Sequence, residues 1–303
     1  MQKTSEIIST NNKSFETACG NIDYCLTNDY MFRAILQQNK SVLKALVCSL
    51  LHLQPGDITT LEIMNPIELG KQIDSKDFIL DIKICLNNNT LINLEMQVEN
   101  QHNWEERSLY YLCRTFDNLN RGEEYLETKP AIHIGFLNFT PFENNLEFYS
   151  TYKLQNIKNG HIYSDKFILS VVNLTQIDLA TDEDKLYQID YWAQLFKARK
   201  WEDLRMIAEK SNALKEASES LYTLNADQMV REQCQARQDF YRMQRATEYK
   251  MQQLTSENVQ LSSEKAQLAS ENVQLSSENE NLTTMIQKQE ALIRALQEQL
   301  SNT

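Results

Sequence analysis

The chain has 303 residues, 42% of them apolar and 9% aromatic, which suits one or two domains with a real core. A formal net charge of -12 and a pI of about 4.9 exclude a protein coated in positive charge for nucleic-acid binding. Only a local basic groove is left open. Cys19, Cys25, Cys48, Cys85, Cys113 and Cys234 form no CxxC pair, which argues against a disulfide framework or a zinc site and predicts plain thiols in a reducing cytosol.

The first 20 residues are polar, lack a hydrophobic signal core, and read as a flexible leader. No apolar run approaches the roughly 18 residues of a membrane span. The expectation is therefore a cytoplasmic protein with no membrane contact. From Thr27 the stretch TNDYMFRAILQQNKSVLKALVCSLLHL has helical spacing at Met31, Phe32, Ile35 and Leu36, then at Leu43, Leu46, Val47, Leu50 and Leu51. Thr27, Asn28 or Asp29 is the candidate cap. QPGD at 54–57 ends it.

Residues 77–100 predict a hairpin. Phe78, Leu80, Ile82, Ile84 and Leu86 alternate on one strand, and Ile92, Leu94, Met96 and Val98 on the next. Asn87 to Asn89 supply the turn, because Asn tolerates the left-handed conformation. In that register Leu86 opposes Thr90, Lys83 opposes Asn93 and Asp81 opposes Glu95. Facing side chains in such a pair are about 5 Å apart at their β-carbons, and two carboxylates so placed repel unless a cation lies between them or one is protonated. The polar row Asn93, Glu95, Gln97 and Glu99 either faces water or converges with Asp81 on a metal ion. Lys83 then relieves carboxylate repulsion, and Glu99 lies too far along the strand to share the ion.

Downstream, NWEERSLYYLCRTFDNLNRG predicts a helix from Asn103 to Gly122, and PAIHIGFLNFT (130–140) an apolar strand. A second hairpin follows, with Asn159-Gly160 as its turn. Helical patterning resumes from Asp182. Arg107 is a candidate phosphate grip or a partner for a Glu on its own helix. His52, His102, His133 and His161 have no ligand spacing and are expected to be structural or surface residues. Lys197, Arg199 and Lys200 belong to an amphipathic core helix with a possible backbone contact to DNA. Arg231, Arg237, Arg242 and Arg245 are expected on a solvated helix face.

From Leu254 the sequence repeats every seven residues. Leu254, Leu261, Leu268, Leu275 and Leu282 take d positions, with Asn258, Lys265, Asn272, Asn279, Ile286 and Ile293 at a. Leucine at d with Asn at a predicts a weak, parallel, in-register dimeric coiled coil. Residues 251–303 carry three basic and seven acidic side chains. Position g is Glu257, Glu264, Glu271 and Glu278, while e is Thr, Ser or Ala, so no e/g attraction reinforces the seam.

Asp81, Glu95 and Gln97 together offer the chemistry of a hard divalent ion: two carboxylates, the Met96 carbonyl as a further oxygen, and an amide to orient water. The runs LD (80–81), NLEMQ (93–97) and ERSLYYLCR (106–114), with NDYMFRAIL upstream, resemble the Rpn family of recombination-promoting nucleases and putative transposases. That family lies within the PD-(D/E)XK nuclease superfamily, and the resemblance spans roughly residues 24–180. It implies an α/β, restriction-endonuclease-like mixed sheet flanked by helices, and Mg²⁺- or Mn²⁺-dependent hydrolysis of DNA. Asp81 then takes the motif's Asp, Glu95 its acidic place, and Asp29 the acidic residue of the first helix, with Phe32 following it. Gln97 stands where the superfamily more often has Lys, and Leu80 where it often has Pro. An amide carries no charge to steady an oxyanion, so a metal must supply more of the electrostatics. The implied organisation is a leader (1–20), a nuclease-like domain (21–180), a helical extension (181–250) and a coiled-coil stalk (251–300) that makes a homodimer on DNA. The alternative is a catalytically weakened DNA-binding or protein-interaction scaffold held together by the same stalk.

Overall fold

The computed structural model describes residues 14–65 and 82–301, with side chains through Glu298. Asp81 and the strand residues expected just before it lie outside the described residues. The described residues fall into two compact units that divide between Tyr241 and Arg242.

The first unit is built on one mixed six-stranded sheet. Its strands are β1 (Leu61–Ile63), β2 (Ile82–Leu86), β3 (Thr90–Gln97), β4 (Ala131–Leu137), β5 (Tyr149–Lys153) and β6 (Phe167–Asn173), in the order β1-β2-β3-β4-β6-β5. The β3–β4 and β4–β6 pairs are parallel and the other three antiparallel. The β2–β3 hairpin has the expected register, from Leu86↔Thr90 through Lys83↔Asn93 to Ile82↔Leu94. Asn87 and Asn88 adopt φ of 51° and 56°, so the turn rests on the tolerance of Asn for that region. Asn87 also ties the turn down: its carbonyl accepts from the Thr59 and Thr60 amides and its amide donates to the Asp57 carbonyl.

A parallel neighbour needs a crossover, and helix α3 (Trp104–Phe116) provides it between β3 and β4. Central parallel strands have both faces covered. On one face Ile82, Ile84, Ile92, Leu94, Met96, Ile134 and Phe136 meet a layer of helices in a single buried core. That layer includes α1 (Asp29–Gln38), α2 (Lys40–Leu51), α5 (Ile189–Lys197) and α7 (Asn212–Ala226). Phe32, Phe136 and Phe196 form an aromatic triangle at its centre, with ring centroids 5.4, 5.6 and 5.1 Å apart. Each such pair is worth about 0.5–1.5 kcal/mol beyond its area burial. The other face is covered by α3, where Trp104 packs with Leu137, Val171 and Phe139.

Several local expectations are corrected. The helical stretch from Thr27 is two helices, because Asn39 turns extended and its side chain caps the second by accepting from the Ser41 and Val42 amides. Helix α3 ends at Phe116, six residues before Gly122, and Asn103 makes no side-chain cap. Strand β1 has no period strong enough to be read from three residues. The second hairpin forms, but its tip is a longer loop: Asn156 N bonds His161 O, and of Asn159 and Gly160 only the glycine is left-handed, at φ 72°. Of the expected leader, residues 14–20 are anchored, with Phe15 and Ala18 buried and the Trp201 amide donating to the Gly20 carbonyl. Of the helices after Asp182, namely α4 (Asp182–Leu186), α5, α6 (Trp201–Ala208) and α7, the last three contribute Trp192, Leu204 and Leu221 to the same core as the sheet.

Helix α8 runs from Gln228 to Ser301. Its first turns belong to the unit just described. The second unit is the remainder, a single helix whose repeated leucines are all exposed, Leu254 at 44% and Leu261 at 60%.

Candidate active site

Period-two geometry sends Asn93, Glu95 and Gln97 to the sheet face covered by α3. The row does not face open water. Asn93 is fully buried, Glu95 is 5% exposed and Gln97 7%. Burying a carboxylate is costly unless its charge is matched and its oxygens hydrogen-bonded, so the neighbours of Glu95 decide what it is.

Strand β4 supplies the first neighbours. Parallel pairing sets His133 level with Asn93 and Gly135 level with Glu95. Gly135 leaves room that the Trp104 indole fills; a β-carbon there would fall inside the ring's van der Waals surface. The Asn93 amide lies 3.0 Å from His133 Nδ1. With that amide donating, Nδ1 is the acceptor and the proton sits on Nε2, which points toward Glu95 Oε2 at 3.6 Å. The opposite amide orientation would set a bare ring nitrogen against a carboxylate. Complete burial, and then the positive charge of Arg107, lower the His133 pKa to about 3, so the ring is neutral near pH 7. The His133–Glu95 approach is therefore a long polar contact and not an ion pair.

Helix α3 supplies the charge. Arg107 donates to Glu95 Oε1 from Nε at 2.7 Å and from Nη2 at 2.6 Å. Burial works against the guanidinium charge, but the attraction and hydrogen bonding of Glu95 outweigh it and hold the Arg107 pKa above the ordinary arginine value. The guanidinium also lies 5.0 Å from the centre of the Tyr111 ring, and that ring stacks on His133 at 6.1 Å. Arg107 thus pairs across to the sheet, and not with a glutamate of its own helix. Gln97 Nε2 donates to the Glu99 carbonyl at 3.1 Å.

Asp29 belongs to an adjoining cluster. It is the first residue of α1, following the Asn28 cap, and is 3% exposed. Its Oδ2 accepts from Arg237 Nε at 2.6 Å and from the Tyr241 hydroxyl at 2.6 Å. Arg237 Nη2 donates in turn to the Tyr241 oxygen at 3.0 Å. Burial, and then the nearby Asp29 carboxylate, push the Tyr241 phenol above its ordinary pKa, so it stays a donor. Tyr241 lies within electrostatic reach of Arg107, so the two clusters are neighbours. The expectation of a solvated Arg237 is overturned: it is buried at 7% exposure, because α8 begins against α1.

The structure therefore brings Glu95 and Gln97 to one face, sets Asp29 beside them through Tyr241, and leaves Asp81 outside the described residues. Tyr111 and Tyr241 escaped the sequence reading, which named His133 only as a structural or surface residue. Only His133 left a trace, as the lone histidine of an otherwise apolar strand, and its partner is set by a parallel register that no turn announces.

The donors present suit a hard divalent cation in kind. Glu95 offers carboxylate oxygen, Gln97 an amide oxygen on the same face, and a positive group is already drawn to Glu95. Among the described residues no three acidic, histidine or cysteine side chains converge into a metal-binding group.

A mixed six-stranded sheet flanked by helices is consistent with a PD-(D/E)XK fold. Residues 26–249 match the family described as PD-(D/E)XK nuclease family transposase, and the chain belongs to that family. No curated protein and no solved structure matches the chain. Membership implies nuclease- or transposase-like action on DNA, and nucleases of this superfamily generally use divalent metal ions. Among the described residues no helix is long and apolar enough to cross a membrane.

Proposed function

We propose that the protein is a divalent-metal-dependent DNA endonuclease of the Rpn type, linked to mobile elements or recombination. The observation that carries this reading is Glu95: a 5% exposed carboxylate on the central strand of the family's fold, sharing its face with Gln97. Asp81 and Glu95 are the acidic ligand pair, and the Met96 carbonyl is a further oxygen. The observed pairing up to Ile82↔Leu94 supports Asp81 as the next residue in line. A bound Mg²⁺ or Mn²⁺ supplies a more acidic water and neutralises charge on the scissile phosphate.

The remaining roles fall to the chain itself. Gln97 has its amide nitrogen engaged by the Glu99 carbonyl, so its oxygen is the atom that orients an attacking water. His133, neutral and oriented by Asn93, lines the Glu95 carboxylate, which Arg107 holds. Asp29 anchors Arg237 and Tyr241 beside Arg107 and acts as a positioning residue. The α8 leucines pair two copies in parallel, which gives one site for each DNA strand.

The test is nicking of supercoiled plasmid by purified protein in Mg²⁺, Mn²⁺ or Ca²⁺. Cleavage is expected in Mg²⁺ or Mn²⁺ and is lost in Asp81→Ala and in Glu95→Ala. Undiminished cleavage by the double variant removes the proposal. The Arg107 contact to Glu95, together with Gln97 in place of Lys, favours a second reading: a catalytically weakened DNA-binding or protein-interaction scaffold held by the same stalk. Gel retardation of DNA with no cleavage in any divalent ion selects that reading.

A further inference from the structure

We propose that Arg107 is a displaceable counter-ion of Glu95, competing with the divalent cation for the same carboxylate, so that the resting site is held shut to metal until the guanidinium swings away. The inference rests on the metal-dependent reading given above.

Three features of the contact point this way. First, both Arg107 nitrogens converge on one oxygen, Oε1, instead of forking across the carboxylate, and the other oxygen faces a neutral ring nitrogen at 3.6 Å. A fork spanning both oxygens adds geometric specificity and energy that this one-oxygen contact lacks. Second, the partners differ in mobility. The Glu95 side chain is 6% exposed and fixed on a central strand, whereas Arg107 is 32% exposed on a covering helix. The arginine has a route to solvent and the carboxylate has none. Third, Arg107 has a second contact that does not depend on Glu95, because the centre of the Tyr111 ring lies 5.0 Å from its guanidinium.

The physical cost of coexistence drives the exchange. A divalent ion on Glu95 and a guanidinium on the same oxygen would be like charges within a few ångströms, in a region where water screens them poorly. Occupancy by one therefore opposes occupancy by the other, and the two equilibria are linked reciprocally.

Calorimetric titration of the full chain with Mn²⁺ tests this without reference to cleavage. Arg107→Gln is expected to bind Mn²⁺ at least about tenfold more tightly than wild type, and Arg107→Lys, which keeps a charge but loses the two-pronged contact, to fall between them. A merely structural role would leave affinity unchanged or weaken it, and either result overturns the proposal. A second measurement needs no variant to fold: the Arg107 Nε–H resonance of isotopically labelled wild type. Mg²⁺ saturation is expected to abolish its protection from exchange, and persistence of that protection overturns the proposal. If neither wild type nor Arg107→Gln binds Mn²⁺, the metal-dependent reading falls and this inference with it. If wild type binds and the variant binds no better, this inference alone falls.

Discussion

The Asp29 carboxylate at the start of α1 is bonded by Arg237 Nε, 208 residues further along the chain, at 2.6 Å. Both side chains are nearly inaccessible, 5% and 9% exposed, so this is a buried ion pair that closes the N-terminal helix against the first turns of α8. Removing one member of such a pair leaves a desolvated charge without its match. Arg237→Met is expected to destabilise the folded unit by about 3–5 kcal/mol in urea unfolding. The double variant Asp29→Leu/Arg237→Met is expected to recover most of that loss, since two apolar side chains leave no stranded charge. A double variant no better than the single one would show that Tyr241 and not Arg237 is the principal partner.

His133 makes stability pH-dependent with a defined sign. Its folded pKa is lowered to about 3, while the unfolded chain has the ordinary value of about 6.5. Between those values the unfolded state holds the extra proton. The contribution of the neutral ring is therefore complete above about pH 6.5 and is lost as pH falls toward 3. From about pH 7.5 to about pH 5, wild type is expected to lose roughly 2 kcal/mol more than His133→Asn, measured by urea unfolding at each pH. Parallel slopes for the two proteins would mean that the ring is protonated in the fold.

Gly135→Ala probes the contact that lets α3 approach the sheet. The added methyl meets the Trp104 ring, a rigid group that is 5% exposed and hemmed in by Leu137 and Val171. Overpacking of this kind costs about 1–3 kcal/mol. A lowered thermal midpoint is expected, partly restored by Trp104→Leu in the same chain. An unchanged midpoint would show that α3 shifts freely.

Gln97→Ala separates positioning from binding in the nuclease reading. Removing one group that orients the attacking water is expected to lower the single-turnover cleavage rate by about 10²-fold. DNA affinity, measured by retardation in Ca²⁺, should be unchanged. Equal losses in both measurements would make Gln97 a DNA contact.

The tail gives a prediction about assembly. In the parallel dimer proposed for α8, Asn258, Asn272 and Asn279 meet their counterparts at a positions. Replacing all three by Val is expected to raise the melting temperature of the assembled tail and to broaden its oligomeric state, read by sedimentation equilibrium. A monomeric wild-type chain at high concentration would end the dimer proposal.

Much of this was legible locally. Alternation from Ile82 to Gln97, with three asparagines between the strands, determined the hairpin and its register, because side-chain direction has a period of two and left-handed turns admit few residue types. The heptad leucines likewise marked the tail as helix. The family resemblance came from short runs on β3, α1 and α3 and at 80–81. What surrounds Glu95 was not legible. His133, Gly135 and Arg107 reach it through a parallel crossover, and parallel registers are set by helix packing over many residues and not by a turn. Arg237 looked like one of several surface arginines, since nothing adjacent to it in sequence reveals that α8 begins against α1. Sequence alone singled out the carboxylates that are proposed to act. Tertiary structure decided which positive charge Glu95 and Asp29 hold, because the cost of burying an ion is settled by partners that the chain brings from far away.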